Sequence, residues 1–205
     1  MKKLFTLILL ACTITAFAQD FQPGKLIFAN GKEMTGLVKT SSVQEENVVF
    51  KATDSAAKEK INRAELSKVT FPQKDSDAVV YVPVHTVTYG RKSKEPYWLQ
   101  VLIEGPVTLY GHGATMSFNR GGMPHNVSDV TFYAKRTDEK EATWVGMHFT
   151  SGAMGVNVQN TFRKQSALYF ADYPELVTRI ENKEFKVTDL PVIVTEYNKW
   201  KSAKK

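Results

Sequence analysis

The chain is 205 residues long and carries 27 lysines and arginines against 21 acidic residues, with four histidines and a single cysteine. A mixture of 42% hydrophobic and 23% charged residues is ordinary for a globular chain of one substantial core or two small ones, and no repeat or low-complexity run points to a solenoid or a disordered tract. Four of the basic residues, Lys199, Lys201, Lys204 and Lys205, sit in the last seven positions, so the body of the chain is close to neutral and lacks the clustered cations that nucleic-acid binding requires.

In chain order, the first element is a leader. Lys2 and Lys3 precede an apolar run from Leu4 to Thr15, and Ala16-Phe17-Ala18 forms a small-x-small cleavage site. Residues 1–18 are therefore expected to be a signal peptide cut between Ala18 and Gln19, which sends the mature chain to the periplasm or outside the cell. The run is well short of the roughly 20 apolar residues that span a bilayer. An alternative is open: Leu9-Leu10-Ala11-Cys12 has the form of a lipobox, and acylation of Cys12 would give a lipid-anchored envelope protein. Membrane association is expected only in that case. Cleavage after Ala18 removes the one cysteine, which excludes disulfides, thiolate nucleophiles and cysteine-ligated metals.

Residues 19–75 predict a small, strongly bent β-sheet or barrel. In KLIFANGKEMTGLVKT two apolar runs flank Asn30-Gly31, the signature of a type I′ hairpin, and short bursts follow at Val48-Val49-Phe50, Ile61 and Val69-Thr70-Phe71. The order Gly31, Gly36, then Glu46-Asn47-Val48-Val49-Phe50 resembles the first motif of Sm-like barrels, with Asn47 at the motif's asparagine. That resemblance implies barrel geometry; an RNA site does not come with it. Residues 76–160 predict a β-meander: DAVVYVPVHTVTYG, YWLQVLIEGPVTLYG, DVTFYAKR and TWVGMHFT alternate, with Lys135 to Glu141 as a solvated turn and Pro83 at an edge or bulge. Residues 161–205 change period and predict a helical C-terminal segment. Asp172 and Glu175 form a capping-box-like start with Pro174 in the first turn, and Leu190, Ile193, Val194, Tyr197 and Trp200 lie on one stripe. The expected class is α+β, mostly β: a bent N-terminal sheet or barrel, a meander, and a helical cap.

The leader ending in Ala18-Gln19, the NGKEMTGLV hairpin, EGPVTLY and the closing YFADYPELVTRI with VIVTEYN together resemble exported, uncharacterised proteins of Bacteroidota-type bacteria. The resemblance implies an envelope or secreted location. It supplies no catalytic residue.

The sharpest cluster of chemistry-bearing side chains is the Gly/His-rich stretch 111–126, where His112, Arg120 and His125 are expected to project from one loop tip with Asp129 close by. Two imidazoles without a third ligand, and no H-E-x-x-H spacing, do not make a zinc site. No metal or cofactor is therefore expected, and no catalytic residue is assigned. His85 and His148 are expected to be strand or strand-end residues. Tyr81, Tyr89, Tyr97, Trp144 and Trp200 fit core or sheet packing. Trp98, opposite Leu99 and Val101, is the exception, expected as an exposed platform for a ligand. The function expected from these residues is an exported cell-envelope binding or structural module without chemistry of its own, its partner an envelope protein or small ligand. The alternative is an envelope enzyme, or a small-ligand or metal-binding protein, centred on the stretch 111–126.

Overall fold

The computed structural model describes residues 21–74, 77–120, 123–149 and 155–204, with side chains described except at 114–120, 123–128 and 155–157. The leader, including Cys12 and the expected cleavage pair Ala18 and Gln19, lies outside the described residues. The class is α+β and mostly β. The strands are β1 (Phe21–Phe28), β2 (Glu33–Lys39), β3 (Asn47–Lys51), β4 (Glu59–Asn62), β5 (Leu66–Phe71), β6 (Val79–Val84), β7 (Thr86–Thr88), β8 (Arg91–Lys92), β9 (Tyr97–Ile103), β10 (Val107–Arg120), β11 (Met123–Arg136) and β12 (Ala142–Phe149). Three helices follow: α1 (Gly155–Tyr169), α2 (Pro174–Glu181) and α3 (Leu190–Ala203).

Among the described residues these strands form one open sheet in the order β4-β3-β2-β1-β5-β6-β9-β10-β11-β12-β7-β8. Alternation along each strand decides which residues face inward. Leu26 and Phe28 of β1, Val48 and Phe50 of β3, and Val69 and Phe71 of β5 are buried at every second position and share the N-terminal core with Val38 and Val43. The second core lies between the sheet and the helices, where Leu109, Ala134 and Val145 meet Phe162, Phe170, Leu176, Ile193 and Tyr197. Each of these large side chains is fully buried and contributes roughly 1.5–3 kcal/mol by leaving water.

Four expectations need correction. The Asn30-Gly31 turn is real but not type I′, which requires positive φ at both central residues. Only Gly31 is left-handed, at φ +84°. The Gly31 N–H bonds the Phe28 carbonyl at 3.0 Å, while Asn30 Oδ1 accepts the Lys32 N–H at 2.9 Å. An asparagine that caps its own turn in this way keeps ordinary φ.

The meander is also interrupted. β6 pairs with β9, and after the single residue His85 the same run of chain pairs as β7 in parallel with β12, through Ala142 with Thr86 and Thr143 with Val87. β7 thereby pairs the first two residues of the outer edge of β12. Pro83 lies where β6 pairs only with β9, beyond its last partner in β5.

The first helix begins at Gly155, six residues before the expected boundary at 161. Its first four residues, GVNV, are weak helix formers, so packing of α1 on β12 decides their state. Finally, Asp172 does not cap α2. The N-cap is Tyr173, without a side-chain bond, and Pro174 does take the first helical position.

Candidate functional site

The expected loop 111–126 is largely a two-stranded ribbon. β10 and β11 pair without a break from Val107 with Arg136 to Arg120 with Met123. His112 stands opposite Thr131, whereas His125 stands opposite Phe118, six positions further along β10. At about 3.3 Å per residue that separates the two backbones by roughly 20 Å. Arg120 ends β10, and its side chain, like that of His125, lies outside the described residues. His112, Arg120 and His125 thus do not meet at one tip. The stretch carries glycines and polar residues, but a ladder is made of backbone groups, and its base is anchored between β9 and β12.

His112 is half-buried at the root of this ribbon, its ring edge-on to Tyr97 at 5.9 Å. Burial pushes its pKa down, with the Asp129 charge pulling partly back. Trp98 is not an exposed platform: it is 3% exposed and belongs to the N-terminal core. The 3-10 turn Thr40–Gln44 lies against β9 and covers the face that alternation alone leaves open. His85 is exposed and His148 half-buried next to the end of β12, both as expected.

The exposed aromatics are instead Tyr89, 65% exposed, and Tyr97, 48% exposed. Tyr89 and Gly90 join β7 to β8 with φ of +50° and +76°, so the two-residue turn with both central φ values positive occurs here, between the paired residues Thr88 and Arg91. Asparagine or glycine suits the first of these positions, while a tyrosine there is strained. The other left-handed side chain, Lys183 at φ +66°, has a structural reason. It sits just past α2, where the Lys183 N–H bonds the Ile180 carbonyl and the Glu184 N–H the Arg179 carbonyl, closing the helix end. Tyr89 closes no helix. Its ring rests on Trp144, with centroids 4.9 Å apart.

Two clefts meet at this tyrosine. The first, of about 590 Å³, is the more polar of the two, with polar and apolar surface in nearly equal share, and is walled by Thr86, Thr88, Ser93, Tyr97 and Tyr133, with Arg91 and Lys92 on β8. Its floor is rigid: the Thr86 N–H bonds Ser93 Oγ at 3.0 Å, the Ser93 N–H returns to the Thr86 carbonyl at 2.8 Å, and the Ala142 N–H bonds the His85 carbonyl at 2.8 Å. Burial raises the pKa of the Tyr133 phenol, against hydrogen bonds from Thr88 and Thr86, so it stays a neutral donor at physiological pH. Lys92 is held by Glu141 at 2.6 Å, and Arg91 forms no ion pair among the described residues. The second cleft, of about 230 Å³, is apolar, lined by Trp144, Met147, Phe149 and Val158 beside Thr161. Thr88 and Tyr89 line both.

The other concentration of charge has a structural role. Arg136, at the end of β11, donates to Glu139 at 3.0 Å, to Asp172 at 3.4 Å and to the Tyr169 carbonyl, and lies over the Tyr169 ring at 4.2 Å. Asp172 also accepts from the Tyr197 hydroxyl at 2.7 Å and from Lys201 at 2.8 Å. Every member bonds another member, which fastens α1, the start of α2 and α3 to the sheet and leaves no group free for a ligand.

The sequence signal for the hairpin site is short: two threonines, Tyr-Gly, then Arg-Lys, with the dipeptide at a turn that Asn-Gly would satisfy better. No family model, curated protein or solved structure matches the chain.

Proposed function

We propose that this chain is an exported cell-envelope protein, periplasmic or secreted, that acts as a binding module without chemistry of its own, and that its ligand site is the pair of clefts at the β7–β8 hairpin. One observation carries the reading: the fold holds a tyrosine in a left-handed conformation where it remains 65% exposed, as the shared wall of two clefts. Strain that no cap or buried contact requires is the mark of a residue retained for what it touches. The site's composition supports binding in preference to catalysis, since phenols, hydroxyls and two cations can hold a ligand, while no histidine or carboxylate lines the cleft among the described residues.

Two measurements test the proposal. Protein recovered from the native envelope, analysed by intact mass and N-terminal sequencing, is expected to begin at Gln19 with no added mass. A start at acylated Cys12 replaces the soluble location with a lipid-anchored one, and an uncut Met1 refutes export. For the site, Trp144 fluorescence is followed while a soluble envelope fraction is titrated in. The expected change disappears in Tyr89→Ala, and an unaltered response in that variant removes the hairpin from the proposal.

A further inference from the structure

Resting on the hairpin clefts as the ligand site, we infer that the ligand is an anionic amphiphile, its charged head in the polar cleft and its apolar tail in the neighbouring one. Three observations lead there. The clefts are adjacent, because Thr88 and Tyr89 line both, so a molecule laid across Tyr89 reaches the two together. Their linings differ. One carries Ser93, Tyr97, Tyr133 and Arg91 on a surface of mixed polarity, and in the other Trp144, Met147 and Phe149 present mainly apolar surface. The charges also differ in availability. Glu141 neutralises Lys92, whereas Arg91 forms no ion pair among the described residues and lies at the polar cleft.

A guanidinium with phenolic and alcoholic hydroxyls around it matches the oxygens of a sulfate, phosphate or carboxylate head, for which arginine supplies paired donors. Arg91 is exposed, so its contribution is a preference for an anionic head over a neutral one of the modest size expected of a solvated cation. The apolar cleft has room for roughly eight water-sized groups, which is the space of a short acyl or alkyl chain and too little for a protein side-chain cluster. Tyr89, apolar over its ring and polar at its tip, suits the boundary between head and tail.

The test uses three probes below their micelle-forming concentrations, titrated into the full-length secreted chain and followed by amide NMR shifts: n-octyl sulfate, n-octyl glucoside and ethyl sulfate. Octyl sulfate is expected to bind roughly fiftyfold tighter than ethyl sulfate, since six more methylenes are partly buried, and about fivefold tighter than octyl glucoside. Arg91→Ala is expected to abolish the advantage over octyl glucoside and leave the advantage over ethyl sulfate in place. If octyl glucoside binds as well as octyl sulfate, or ethyl sulfate as well as either, while Tyr89→Ala still abolishes binding, the amphiphile inference falls and the hairpin site stands. If no probe perturbs residues of either cleft, or binding is unchanged in both Tyr89→Ala and Arg91→Ala, the inference is overturned together with the site.

Discussion

Arg136 and Arg91 each end or begin a β-strand beside tyrosines, yet the fold treats them in opposite ways. Around Arg136 the guanidinium, two carboxylates, two phenols and a lysine satisfy one another, and the helical layer is tied down as a result. Around Arg91 two of the three tyrosines are exposed, one is strained, and the cation lacks an ionic partner among the described residues. Closed polar networks stabilise a fold because no desolvated group goes unpaired. An open constellation held on a rigid hairpin costs stability and retains its binding capacity. Residue type alone does not separate the two, since both contain arginine, tyrosine and hydroxyl groups.

The closed region extends beyond Arg136, and its strongest element is uncharged. Asn198 of α3 mimics a strand, with Oδ1 accepting the Val107 N–H at 2.8 Å and Nδ2 donating to the Val107 carbonyl at 2.7 Å. Gly105 makes the approach possible, because a Cβ there would come 2.4 Å from Asn198 Nδ2. Asn198→Ala leaves two buried backbone groups unpaired and is expected to cost about 3 kcal/mol in urea unfolding. Gly105→Ala should then cost much less in the Asn198→Ala background than alone; equal costs in both would show that the two positions are not coupled.

Arg136→Ala comes next. The network is part-exposed, with a quarter of the arginine side chain accessible, so the expected loss is about 2 kcal/mol, below the figure for a fully buried pair. A loss under half that value would place Arg136 with ordinary surface ion pairs.

The third effect is pH-dependent. Burial opposes ionisation of Asp172, but hydrogen bonds from Lys201 and Tyr197 outweigh it and hold the pKa below the ordinary 3.8. A carboxylate depressed on folding contributes stability that is fully present above the unfolded value and is lost as pH falls through the folded one. Unfolding midpoints measured between pH 6 and 2 are therefore expected to fall steeply below about pH 4, with a shallower fall in Asp172→Asn; parallel curves would remove Asp172 from the acid response.

The smallest effect has the opposite sign. Tyr89→Asn relieves the left-handed tyrosine and is expected to raise stability by about 0.5 kcal/mol while weakening binding at the hairpin, whereas the substitutions at Asn198 and Arg136 lower stability and leave the clefts intact. A loss of stability in Tyr89→Asn would mean that the ring on Trp144 contributes more than the strain costs.

Much of the strand framework was legible from alternation. Leu26 and Phe28, Val48 and Phe50, and Val69 and Phe71 announce their buried face two residues at a time, and Leu190, Ile193, Val194 and Tyr197 announce theirs at helical spacing. The site was not legible. Trp98 looked exposed because the pattern within β9 cannot reveal that a turn from residues 40–44 lies across it. His112 and His125 looked adjacent because spacing along the chain does not say whether the intervening residues form a loop or a ladder. Asp172 looked like a helix cap because its partners, Tyr197 and Lys201, lie 25 and 29 residues away.

The sequence by itself determined the α+β class and the strands and helices whose hydrophobic faces alternate, because hydrophobic periodicity is a local property written every two or every 3.6 residues. Tertiary structure alone decided that β7 pairs with β12, that Asn198 reaches Val107, and that Tyr89 stands between two clefts of different character. Each of those outcomes depends on which unpaired edge or cavity lies within reach once the sheet has curled. That is a matter of long-range geometry, and no run of neighbouring residues encodes it.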